Sequence, residues 1–371
     1  MRCTHDFELF DLNNNATVAF LESIFKVSEV YGNFHKYIAL ILCMFGSLAN
    51  AVHIFVLTRP IMRKSNVNQL LSFIAICDIC TMLSYMIYII RFRLLIDMEN
   101  PPLGHALIWV IFIILHVVIS ISMHTIALYL WVATAYIRYK SIKKLEFNVQ
   151  RRNVPMWIFG GTVFIVMIFC IPTLLVHDVT KVTTESGDLL YNIDVSEASK
   201  GQTCFIFKLN LWLTGILFKV IPCVLLIIFT LALFIELKDN QQRRKLFISK
   251  NSLTLHRVSA KTDRTTLMLV ILLGVFLCTE LPQGALSILN GLYPNDIHQF
   301  IYTSFGEILD ILSLINCNAC FVIYPIMSSV YRRTMRGLMQ SSQKEVKLIV
   351  ENTRFRINSY YSLSKNDDVY L

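Results

Sequence analysis

Apolar residues in this chain neither alternate nor keep to one helical face; they run on. Seven apolar stretches stand out, at about His35–Thr58, Asn66–Ile90, Leu103–Tyr139, Val154–Val176, Phe205–Leu237, Thr265–Leu289 and Phe300–Tyr324. Roughly 20 apolar residues, rising ~1.5 Å each in a helix, cross the hydrocarbon core of a bilayer. The pattern therefore predicts seven membrane-spanning helices. Prolines fall at the ends of these runs or inside them (Pro155, Pro172, Pro222, Pro282), which membrane helices tolerate. No internal repeat, heptad or soluble domain is read. The expected architecture is an all-α membrane protein, a seven-transmembrane bundle over residues 35–325. A tail (1–34) precedes it, and residues 326–371 carry a short amphipathic eighth helix and a second tail.

The third run ends abruptly in Ile137-Arg138-Tyr139-Lys140. A guanidinium at the mouth of a long membrane helix fits a receptor's signalling end; a stop-transfer charge fits equally. The loops decide the orientation. Arg59, Arg63 and Lys64 follow span one, Lys140 to Arg152 carry five cations after span three, and eight more lie between Lys238 and Arg264. The opposite loops are acidic: Asp6, Glu8, Asp11, Glu22 and Glu29 before span one, Asp178 to Glu197 after span four. The positive-inside rule then places the amino terminus outside and the carboxyl terminus in the cytoplasm of a multi-pass plasma-membrane protein.

Composition sharpens this. Of 371 residues, 55% are hydrophobic and only 16% charged, which excludes a disordered chain and an ordinary soluble domain. A net charge of +9 would suggest nucleic acid in a soluble protein. Confined to alternate loops, it reports topology instead, and the partner is the lipid bilayer, not nucleic acid. The ten cysteines lack metal-ligand spacing, Cys77 and Cys80 being an unpaired CxxC inside a span. No metal or cofactor is implied. No leader is read in residues 1–33, so the first span is expected to direct insertion. The sequon Asn15-Ala16-Thr17 is a glycosylation candidate on the outer side. The run 328–339 mixes Tyr331, Met335 and Leu338 with Arg332, Arg333 and Arg336, an amphipathic helix on the inner leaflet. The ending Val369-Tyr370-Leu371 has the form of a PDZ-domain ligand.

Polar groups inside spans carry the chemistry, because hydrocarbon makes them costly. Asn50, Asp78, Asn316 and Asn318 suggest a polar pocket for a small cation, or a hydrogen-bonded clasp that fixes packing. His124 lies 14 residues before Arg138, roughly 21 Å above the inner mouth; Asp310 and Glu280 fall at similar depth on other spans. Glu280, Gln283 and Phe276 share one face of span six, as do Glu307 and Asp310 on span seven. An outward cavity walled by carboxylates would favour a cationic ligand, Arg above all, without a carboxylate of its own. The alternative is that Glu280 is protonated or pairs internally with His124.

These motifs carry a resemblance. His124-Thr-Ile-Ala-Leu-Tyr-Leu-Trp131 through Ile137-Arg138-Tyr139, Thr279-Glu-Leu-Pro-Gln-Gly284, and Glu307-Ile-Leu-Asp310 through Asn316 resemble invertebrate myosuppressin and FMRFamide-like neuropeptide receptors. These are a branch of the rhodopsin-like (class A) G protein-coupled receptors; Gly46–Asn50, Asn68–Asp78 and Pro222 match the wider superfamily. The likeness covers about residues 35–340. It implies a peptide ligand ending in Arg-Phe-amide at His124, Glu280, Gln283, Glu307 and Asp310. It further implies a heterotrimeric G protein engaged by Arg138 and Tyr139, a hinge at Phe276 and Pro282, a switch at Tyr324, and a sodium and water network at Asn50, Asp78 and Asn316. Arrestin is a further implied partner.

The sequence also departs from the superfamily. Ile137 replaces the acid before Arg138, Cys320-Phe321 replaces the Asn/Asp-Pro pair before Tyr324, and Ala127 replaces a serine near Asp78. Cys204 has no cysteine partner in the outer half of span three; a Cys3–Cys204 bond and a free thiol both fit. The leading expectation is a receptor for an amidated neuropeptide, the alternative a chemosensory receptor for a small molecule. An enzyme or transporter fits less well: His53 lies far from His124, and no repeat with interrupted helices is visible.

Overall fold

The computed structural model describes residues 9–96, 102–143, 153–183, 187, 189–200, 204–247, 253–341 and 343–344. Seven helices are long and apolar enough to cross a membrane: Asn15–Leu57, Asn66–Leu94, Leu107–Ile142, Val154–Val176, Phe205–Asp239, Val270–Leu292 and Ile297–Ile326, spans one to seven. Each matches a predicted apolar run. The first begins earlier than expected: residues 15–34, assigned to the tail, are already helical. Asn14 caps this helix, its Oδ1 accepting from the Ala16 N–H at 2.9 Å. Asn15, the sequon residue, is thus the first helical residue. Forty-three residues make a rod of about 64 Å, well beyond a ~30 Å hydrocarbon core.

The loop between spans four and five also holds strand structure that the all-α expectation lacked. β1 (His177–Thr183) and β2 (Leu189–Val195) pair antiparallel, with His177 opposite Val195. The hairpin is stitched to the start of span three through a bridge between His105 and Tyr191 and through Asn192 Nδ2, which donates to Leu103 O at 2.8 Å. Beyond β2, the Lys200 ammonium 2.5 Å from Asp194 holds that carboxyl below its usual range. Cys204, in a left-handed backbone conformation at the head of span five, is disulfide-bonded. Cys3, the other half of the expected bond, lies outside the described residues, as do the PDZ-type ending and most of the tail.

Apolar contacts around span three form the largest core: Ile126, Leu128, Leu130 and Ala135 are fully buried there. Trp131 meets Phe276 of span six at 5.8 Å between ring centroids. Few side chains of span four are buried, so it lies at the rim. Asn50 ties span one to span seven, its Nδ2 donating to Cys317 O at 2.9 Å and to Gly46 O at 2.9 Å. At the basic end, Tyr324 OH donates to Asn68 Oδ1 at 2.7 Å. Residues 329–341 are helical. Tyr331 of this segment is fully buried beside His53, its hydroxyl 3.2 Å from His53 Nδ1.

Gly46 lets spans one, two and seven close on each other. A Cβ there would lie 2.4 Å from Met82 Sδ and 2.6 Å from Asn318 Oδ1. Gly46→Val is expected to cost about 1–3 kcal/mol through overpacking. The check is the thermal midpoint of purified protein in detergent, with Gly160→Ala, whose added Cβ meets nothing within 4 Å, as the unaffected control.

Candidate functional site

A polar side chain inside a span must find its partner on another span, and four spans solve this problem together. Glu280 of span six is fully buried. Its Oε1 lies 3.0 Å from His124 Nε2 of span three and accepts from Asn316 Nδ2 of span seven at 2.9 Å. Its Oε2 pairs with Lys219 Nζ of span five at 3.0 Å. Lys219 also donates to Gln283 Oε1 at 2.7 Å, and Gln283 Nε2 reaches Ser313 Oγ of span seven at 3.0 Å. Lys219 can only donate, so the Gln283 oxygen must face it.

Above this knot lies a cavity of about 510 Å³. His124, Lys219 and Gln283 contribute to its lining, together with Tyr85, His298 and Asp310. Glu280 does not line it. Asp310 does, and its Oδ2 accepts from Tyr85 OH at 2.8 Å; Tyr85 in turn lies 2.8 Å from His35 Nε2. Asp310 has no basic partner among the described ion pairs, so it is the carboxylate offered to the cavity. Two polar atoms of the lining residues, Asn290 Oδ1 and His298 Nδ1, are buried without a protein partner.

The three carboxylates expected to wall one cavity therefore divide. Glu280 sits under its floor in a closed network, the internal pairing with His124 weighed as the alternative. Glu307 is drawn away by Arg93 at the carboxyl-terminal end of span two. Asp310 alone remains exposed to a ligand. The network expected at Asn50, Asp78 and Asn316 also divides. Asn316 donates to Glu280, whereas Asp78 and Asn50 meet through Cys317, by its thiol and its carbonyl oxygen respectively. The amide oxygens of Asn50, Asn316 and Asn318 are buried without a protein partner.

At the opposite end, Arg138 is half-buried and its Nε lacks a partner. Ile137 beside it is buried and offers no charge. Tyr139 receives Lys143 Nζ over its ring at 4.8 Å. Phe276 contacts Trp131, and Pro282 lies inside the continuous helix of span six, two residues after Glu280.

Lys219, Arg93, Tyr85 and Cys317 were not anticipated. Lys219 was the most legible of them: a lone cation in the run Leu213–Ile228, subject to the same rule that singled out Glu280. Tyr85 and Cys317 carry no such signal, because tyrosine and cysteine are ordinary residues in a membrane helix.

Seven spans, a polar cavity at one end and, at the other, an arginine whose Nε lacks a partner are the layout of a membrane receptor. The chain belongs to the serpentine type 7TM GPCR chemoreceptor Srw family, whose model matches residues 37–342. It is 29% identical over 360 residues to the "G-protein coupled receptor dmsr-1" of Caenorhabditis elegans, covering 85% of this chain and 70% of that protein. It is also 26% identical to the "Sex peptide receptor" of Drosophila melanogaster over 138 residues, 36% of this chain and 32% of that one.

Breaking a buried ion pair from one side leaves the other charge stranded. Lys219→Met or Glu280→Leu alone is expected to destabilise the receptor by roughly 3–5 kcal/mol, and the double variant by much less than the sum. Thermal unfolding of the four proteins in detergent checks the coupling.

Proposed function

We propose that this receptor binds an amidated neuropeptide of the Arg-Phe-amide type, FMRFamide-like or myosuppressin-like, and signals to a heterotrimeric G protein from a plasma membrane crossed with the amino terminus outside. The observation that carries the reading is Asp310. It is a carboxylate in the cavity wall, held only by a neutral hydroxyl, where an arginine guanidinium would make a charge-assisted bond. A relative named as a peptide receptor supports the ligand class.

Binding would act by population shift. Lys219, Gln283 and His124 touch both the cavity and the span-six network, so a ligand there bears on span six beside Pro282. Outward movement of that span, turning at Pro282 and Phe276, would uncover Arg138 and Tyr139 to the G protein, with Tyr324 released from Asn68. Asn50 and Asp78, with the unpartnered asparagine oxygens around them, would hold water or a small cation in the resting bundle. Arrestin and a PDZ-domain protein would engage the carboxyl-terminal tail, and Asn15 would carry the glycan. A second reading, a chemosensory receptor for a small molecule, is favoured by the family's description and by a cavity volume in the small-ligand range.

Screening amidated peptides and small odorants against the expressed receptor, with G protein activation as readout, separates the two. Asp310→Asn is expected to lower peptide potency by roughly tenfold to a hundredfold. Arg138→Ala is expected to abolish coupling while radioligand binding persists. Peptide affinity unmoved by Asp310→Asn would sink the peptide reading of the cavity.

A further inference from the structure

We propose that Lys219 reads the terminus of the ligand, admitting a peptide that ends in a neutral amide and rejecting the same peptide as the free acid. This rests on the peptide reading above and assigns the discrimination to particular residues.

Lys219 is the layer between the cavity and the buried carboxylate. Its side chain is 18% exposed and lines the cavity, whereas Glu280 behind it is at 0%. An ammonium has three N–H donors. Two are committed, to Glu280 Oε2 at 3.0 Å and Gln283 Oε1 at 2.7 Å. Among the described residues no third acceptor takes the remaining one. Gln283 cannot turn away, because its Nε2 is held by span seven at Ser313 Oγ and Leu309 O. His124 commits its Nε2 to Glu280.

An amide carbonyl in the cavity accepts the third N–H and adds no charge, so the Lys219–Glu280 pair survives binding. A carboxylate in the same place sets a second anion against one shared ammonium in a poorly solvated site. Either the ligand takes the cation and strands Glu280, or Glu280 keeps it and the ligand's charge stays unpaired. Asp310 faces the same cavity and is a second source of repulsion. The two sources are separable, because Asp310 also binds the ligand's cation, whereas Glu280 does not touch the cavity.

The experiment uses the full chain in cells and a matched pair of peptides ending in Arg-Phe-amide and in Arg-Phe with a free carboxylate, read by G protein activation. The wild-type receptor is expected to prefer the amide by about a hundredfold or more. In Glu280→Gln, whose Lys219 has charge to spare, the ratio should fall to about tenfold or less. Asp310→Asn should weaken both peptides and lower the ratio by less than Glu280→Gln does. Should Glu280→Gln fail to reach the surface, Glu280→Met, which also leaves Lys219 its full charge, replaces it and should lower the ratio likewise. Equal potency of amide and acid on wild type overturns the inference alone. So does an unchanged ratio in the Glu280 variant, or a ratio that collapses in Asp310→Asn instead. Silence of the wild-type receptor to both peptides overturns the inference together with the peptide reading.

Discussion

A carboxylate with no access to water must be satisfied from within the protein, and Glu280 takes all its partners from other helices. Spans three, five and seven each donate one side chain to it. In hydrocarbon, where apolar packing between helices has little solvent-driven force, such polar contacts fix which faces meet. The network sits between the cavity and the Trp131–Phe276 contact, so span six is held by charge at Glu280 and by ring packing one turn away at Phe276. The rest of the bundle's polarity is distributed around that knot.

One consequence is the asymmetry of the cavity. With Glu280 closed off beneath Lys219 and Glu307 taken by Arg93, the floor of the cavity offers donors and one wall offers a carboxylate. A ligand carrying a cation and, a short distance away, a neutral acceptor meets both without disturbing an ion pair. In the proposed mechanism the same closure couples ligand to helix, because His124, Lys219 and Gln283 belong both to the cavity wall and to the network that holds span six.

The membrane topology was legible because its cause is local. Each apolar run is long enough by itself to demand a bilayer, and each predicted run has a described span. The polar residues inside the runs were legible for the same reason, which is why His124, Glu280 and Asp310 stood out at a shared depth. The partnering was not legible. Depth along a helix follows from counting at a fixed rise; rotation about its axis depends on how neighbours pack. Asn316 was grouped with Asn50 and Asp78 as a polar residue inside a span, yet it turns to Glu280, and Cys317, one residue on, is the group that meets Asp78. The hairpin and the long first helix were missed for a different reason. Both lie outside hydrocarbon, in polar sequence such as Asn15–Asn33, where no single pattern dominates.

The amino-acid sequence by itself determined that this chain crosses a membrane seven times, with its cations and anions sorted to opposite faces and a few costly polar groups held at mid-depth. Those properties follow from transfer free energies, which each segment carries on its own. Only the tertiary structure decided which carboxylate is sealed and which faces the cavity. The fate of a buried charge depends on the donors that other helices bring within about 3 Å, and no single segment contains that information.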